Sequence, residues 1–145
     1  DYTRAKQRLY PAIDPVRSTS CLLQSDLLDA THRTVAAEVK RLLQRYSDLR
    51  TPMDTYNMDV NALWYIEDDP NLAQDIHRAR RLDRFLTQPF SSAEPWTGMI
   101  GQRVDVKDTV VGCQAILAGE YDALAEETFC FVGMIEQAVA KSKQC

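Results

Sequence analysis

From Asp29 onward the chain repeats one pattern, apolar residues three and four positions apart, and that period favours helices that bury one face against each other. Val35, Val39, Leu42, Leu43, Tyr46 and Leu49 form the first stripe, on an amphipathic helix of about five turns that Asp29 or Thr31 can cap. Pro52 is predicted to end it, because the prolyl ring removes a donor and crowds the carbonyl of the preceding turn. A second stripe, Leu72, Ile76, Ala79, Leu82, Phe85 and Leu86, follows Asp69 as cap and Pro70 in the first turn, and stops before Gln88-Pro89. A third, Val106, Val110, Cys113, Ile116 and Leu117, runs from Asp105 to Gly119, a residue suited to a left-handed C-cap. A short pair at 125–131 and 134–143, jointed at Gly133, completes the series.

The remaining segments lack this period. Residues 9–28 carry two prolines and Ser18-Thr19-Ser20, which reads as extended chain and loop. Residues 91–103 hold a proline, two glycines and a tryptophan, again loop, and a short helix is expected near 60–66 within the mixed tract 53–69. The predicted fold is all-α: a helical bundle of five or six helices at 29–145, preceded by a non-helical N-terminal arm at 1–28.

A length of 145 residues fits one domain with a core of its own. The chain opens on Asp1 rather than a methionine, as expected of a processed product or a piece of a longer chain. No stretch approaches the roughly 20 apolar residues that span a bilayer, so a soluble protein is expected. A net charge of −4 argues against a general nucleic-acid surface, which needs a clustered cationic excess. Arg78, Arg80, Arg81 and Arg84 come nearest to such a cluster, but with Asp83 among them they read as a solvated or salt-bridged helix face. Cys21, Cys113, Cys130 and Cys145 form no C-x-x-C pair and His32 and His77 stand alone, so no metal site is expected. Cys113 and Cys130 lie in apolar runs and read as small core residues, with reduced thiols the expectation for this composition.

Four segments carry a resemblance. They are Tyr10-Pro11-Ala12-Ile13-Asp14-Pro15 with Ser18-Thr19-Ser20, Arg84-Phe85-Leu86-Thr87-Gln88-Pro89-Phe90, Ile116-Leu117-Ala118-Gly119-Glu120-Tyr121-Asp122, and the run from Phe131-Val132-Gly133-Met134 to Lys141. In that order and spacing, and across nearly the whole chain, they resemble the C-terminal region of the beta subunit of F-type ATP synthases. That region is a helical bundle following a nucleotide-binding domain. The resemblance implies that Tyr10, Phe90, Ala93 and Trp96 enclose the adenine ring of ATP or ADP, Trp96 standing where the family usually has a phenylalanine. The chemistry is reasonable, since aromatic stacking contributes on the order of 1 kcal/mol per contact beyond the buried area. Judged without the resemblance, Phe90 and Trp96 read as core, and Tyr2, Tyr46 and Tyr56 read as core or surface.

No Gly-rich phosphate loop ending in Lys-Thr or Lys-Ser occurs, so no catalytic residue is assigned, and magnesium is expected only through a domain outside this sequence. Phosphoryl transfer rests on positioning and charge stabilisation, and the chain alone is predicted inactive. Two or three stacking partners supply roughly 3 to 4 kcal/mol, which corresponds to millimolar binding or weaker. The resemblance implies alpha and gamma subunits as partners and a peripheral place in a membrane-bound complex, on its cytoplasmic face or in an organelle matrix or stroma.

Three departures from the family pattern stand out. Cys21 replaces an arginine and Arg33 a tyrosine, which weakens the second, non-catalytic nucleotide site that the family shares with the alpha subunit. The acidic segment D-E-L-S-E-E-D that faces the gamma subunit is replaced by a longer, more apolar tract in which Glu67, Asp68 and Asp69 keep an acidic tip. A divergent member, such as one of the alternate, sodium-associated branch, fits these changes. The alternative is a non-catalytic helical interaction module or degenerate beta-subunit paralogue using 53–69 as its partner surface.

Overall fold

Helix formation follows the apolar stripes closely in the computed structural model, which describes residues 1–25, 27–56 and 69–143 and, of residues 24, 51–56 and 96, the backbone alone. The elements are α1 (Tyr2–Lys6), α2 (Ala30–Tyr56), α3 (Pro70–Phe85), α4 (Glu94–Thr97), α5 (Val106–Ala118) and α6 (Ile135–Ser142), with 3₁₀ turns at Cys21–Gln24, Ser91–Ala93 and Glu126–Phe129. Among the described residues there is no strand, and the fold is all-α. No helix there is long and apolar enough to cross a membrane.

The predicted start signals act as the physics requires, because the first turn of a helix leaves backbone N–H groups without partners. Asp29 Oδ1 accepts from the His32 N–H at 2.7 Å, and Asp69 Oδ1 accepts from Asn71 and Leu72 at 3.0 and 3.2 Å. Asp105 precedes α5 but its side chain makes no capping bond. Gly119 closes α5 at φ +85°, where a Cβ would be strained and would also strike Arg78 Nη2 and the Asp122 carboxylate.

Three expectations need correction. Pro52 does not end α2, which continues to Tyr56; a proline inside a long helix forfeits one backbone hydrogen bond, and the flanking turns retain theirs. The arm carries a five-residue helix, α1, before its extended part. Its N-cap Asp1 accepts from the Arg4 N–H at 2.9 Å, and Arg4 pairs with Asp83 of α3. Residues 91–103 contain helical turns rather than plain loop. The helix expected near 60–66 lies outside the described residues.

α2 and α3 pack stripe to stripe, with α5 against both and α6 against α5. Val35, Val39, Leu42 and Leu43 of α2 meet Ala79, Leu82 and Phe85 of α3, Cys113 and Ile116 of α5, and Ile135 and Ala138 of α6. Val106 is the exception to its stripe, 62% exposed at the first turn of α5. Phe129, from the last 3₁₀ turn, is fully buried, with the Tyr121 ring edge-on at 6.5 Å. Burial raises the Cys113 thiol to about 12, so it is an inert core group as predicted, whereas Cys130 is only half-buried, with the Arg84 guanidinium 3.9 Å from its sulfur.

The arginines of α3 bind the chain that returns from α5. Arg81, buried, donates through Nη2 to the carbonyls of Asp122 at 2.7 Å and Leu124 at 3.0 Å. Arg78 grips the Asp122 carboxylate with Nε at 3.1 Å and Nη2 at 2.6 Å. Arg80 and Arg84 reach Glu126 at 3.0 and 3.5 Å. The cationic cluster is therefore a salt-bridged face, and bidentate pairing of this kind is stronger than an ordinary surface ion pair.

Gly112 lets α5 approach α3 closely: a Cβ there would lie 2.4 Å from the Phe85 ring and 3.4 Å from Ile135 Cβ. Gly112→Ala is expected to destabilise the fold by about 1–3 kcal/mol through overpacking, outweighing the roughly 1 kcal/mol that alanine gains in helix propensity; chemical denaturation measures the net sign. Hydrogen bonds from Arg78 chiefly, opposed by burial and aided by Gln74, hold the Asp122 carboxyl below its ordinary value of 3.8. Its stabilising contribution is thus fully present above the unfolded value and is lost as pH falls through the folded one. The stability difference between the native chain and Asp122→Asn should be flat above about pH 5 and shrink progressively as the pH falls below about 4.

Candidate functional site

Residues 8–10 of the arm, 88–99 after α3, and Phe131 before α6 meet around one apolar cleft of about 470 Å³. Backbone polarity fixes the meeting. The Gln88 N–H donates to the Tyr10 carbonyl at 3.0 Å, so the arm is tied where α3 has just ended. The Gln102 N–H donates to the Pro89 carbonyl at 3.1 Å, and Gln137 links Gln102 at 2.9 Å to the Gly133 N–H at 2.7 Å, fastening the loop to α6. Glu94 Oε1 accepts from the Gly101 N–H at 2.7 Å and closes the turn that carries Met99.

Thr87 sets the far wall. Fully buried, it donates its hydroxyl to the Arg84 carbonyl and accepts from the Phe131 N–H at 3.0 Å. Phe131 is thereby held in the left-handed region at φ +53°. Arg8, which also lines the cleft, has φ +59°. These are the two positive-φ residues other than glycine among the described residues, and both line this cleft. Such strain persists where the surrounding structure enforces it, commonly at binding sites.

Three of the four residues marked by the resemblance lie here. Tyr10, Phe90 and Ala93 line the cleft together, although 80 residues separate the first two in sequence. Phe90 opens the 3₁₀ turn Ser91–Ala93 in an extended conformation and its carbonyl accepts from the Ala93 N–H at 3.1 Å, which puts both on one rim. Tyr10 is 40% exposed, and its hydroxyl donates to the Ala5 carbonyl at 3.4 Å. The side chain of Trp96 lies outside the described residues. Arg8, Thr97, Met99 and Phe131 line the cleft without having been marked as site residues; none lies on a helix stripe whose period could betray it.

In volume the cleft falls within the range of small-molecule sites, and its lining is apolar with few polar groups. A second cleft, between α1, the arm and α2, is smaller, about 280 Å³, and carries charges of both signs at Arg4, Asp14, Arg17, Arg50 and Asp83. Its lining is unsuited to an apolar face. Among the described residues no group of three acidic, cysteine or histidine side chains could hold a metal ion.

No protein-family model matches the chain.

Thr87→Val keeps the shape of the side chain while stranding the Phe131 N–H. It is expected to cost about 1–3 kcal/mol, the penalty for an unsatisfied buried donor, and to shift the resonances of Phe131 and its cleft neighbours more than those of α2. Thr87→Ser should restore both.

Proposed function

We propose that this chain is the C-terminal region of a beta subunit of an F-type ATP synthase, and that its cleft receives the adenine ring of ATP or ADP. The observation that carries the reading is the convergence of Tyr10, Phe90 and Ala93 on one apolar cleft. The resemblance marks these residues for adenine contact, and nothing in their sequence spacing requires them to meet.

Division of labour follows from what the residues can do. Tyr10 and Phe90 offer rings, Ala93 and Met99 offer an apolar wall, and Gln88 offers polar atoms for the edge of a base, while the Thr97 hydroxyl is engaged with the Ala93 carbonyl and the Met99 N–H. Phosphates and magnesium need a nest of backbone N–H groups and a hydroxyl ligand, which belong to the nucleotide-binding domain of the longer chain. In the assembled enzyme this bundle closes over the base, and the acidic tip before α3 transmits that closure to the gamma subunit while the alpha subunit lies alongside. The whole forms part of a membrane-bound, ion-translocating complex. Asp69, the described member of that tip, spends one carboxylate oxygen on capping α3, leaving Glu67 and Asp68 for the gamma contact.

ADP titrated against the chain should shift the amide resonances of Tyr10, Phe90, Ala93 and Met99 with millimolar affinity. Phe90→Ala should weaken that binding about fivefold, the loss of one stacking contact. No shift at these residues up to about 10 mM, well beyond the strength expected from stacking, would overturn the adenine assignment.

A further inference from the structure

Arg8 introduces charge into an otherwise uncharged cleft. It is the one charged residue among those that line it, and the groups beside it are aromatic rings, a proline, an alanine, a methionine and two neutral polar side chains. Arg8 is exposed, and among the described residues its guanidinium has no hydrogen-bond or ion-pair partner. The contrast with α3 is sharp, since Arg78, Arg81 and Arg84 are all engaged. Its backbone sits at φ +59°, a conformation that glycine adopts without strain and arginine does not. The turn therefore holds a long cationic side chain at a strained position beside an apolar cleft.

Resting on the base-binding reading above, we propose that Arg8 determines specificity at this cleft, selecting a flat ring that carries an anionic group over the same ring without one: a nucleotide over its nucleoside. A guanidinium is planar, always charged, and matches phosphate oxygens two at a time. At a solvent-exposed rim the gain is modest and sensitive to salt. A preference of about threefold to fivefold for the anionic ligand is the expected scale.

Adenosine and adenosine monophosphate, titrated separately and followed at Tyr10 and Phe90, test this directly. The native chain should bind the monophosphate about threefold to fivefold more tightly, and the preference should shrink in about 1 M salt, where the Debye length falls to roughly 3 Å. Arg8→Gln should bring the two affinities together, with the larger loss on the monophosphate. Arg8→Gly, which relieves the backbone, should do the same and gives a second reading should the glutamine variant fold poorly. Equal binding of both ligands by the native chain would overturn the proposal and leave the base assignment standing. So would a preference that survives both substitutions, or an equal loss for both ligands, which would place the guanidinium on the ring. Failure of both ligands to bind would overturn the base assignment itself, and this proposal with it.

Discussion

The grip of α3 on the chain returning from α5 is the constraint on which most of the molecule depends. Arg81 is buried, and a buried guanidinium is tolerated only when its donors are satisfied. Two backbone carbonyls, of Asp122 and Leu124, satisfy Arg81. Because the partners are carbonyls, the contact fixes the path of the backbone rather than one rotamer. Arg78 on Asp122, and Arg80 and Arg84 on Glu126, then hold the same segment at two further points. Phe129 is thereby delivered to the core at full burial, and Thr87, two residues beyond the end of α3, can bond the Phe131 N–H. The cleft wall is the last link of that chain.

This order of causes explains what the sequence made legible. Helices whose stripes bury in the core, on α2, α3 and α5, are visible because one face must repeat every three or four residues. Their caps at Asp29, Asp69 and Gly119 are visible because each solves a local hydrogen-bonding problem. Pro52 misled for the complementary reason: a local penalty is real, but in a helix held by tertiary packing it need not decide the boundary. α1 carries no periodic stripe, and its anchor, Arg4 on Asp83, joins residues 79 positions apart. No window of sequence contains that contact. The arginine face could be read as paired, but its partners, backbone carbonyls among them, could not be named.

The cleft shows the same division. Periodicity says nothing of Phe90 or Tyr10, because neither lies on a helix stripe, and an aromatic in a helical domain reads as core by default. The resemblance in four short segments marked both, along with Ala93, and the fold places the three on one cleft. Arg8 and Phe131 escaped because their contribution lies in a left-handed backbone, which no side-chain pattern announces. Under the proposed function, an apolar cleft whose one charged lining residue is Arg8 serves to hold and orient a base. On the proposed reading, the part of this chain is recognition, with bond-breaking assigned to a partner domain.

Intermolecular nuclear Overhauser effects between the two carbon-bound ring protons of adenine in bound ADP and the side chains of the protein test the central claim most directly. Contacts to the rings of Tyr10 and Phe90 and to the Ala93 methyl group, within one bound pose, are the predicted result. Contacts confined to the arginine face of α3 or to the charged cleft beside α1, with none to Tyr10 and Phe90, would contradict it.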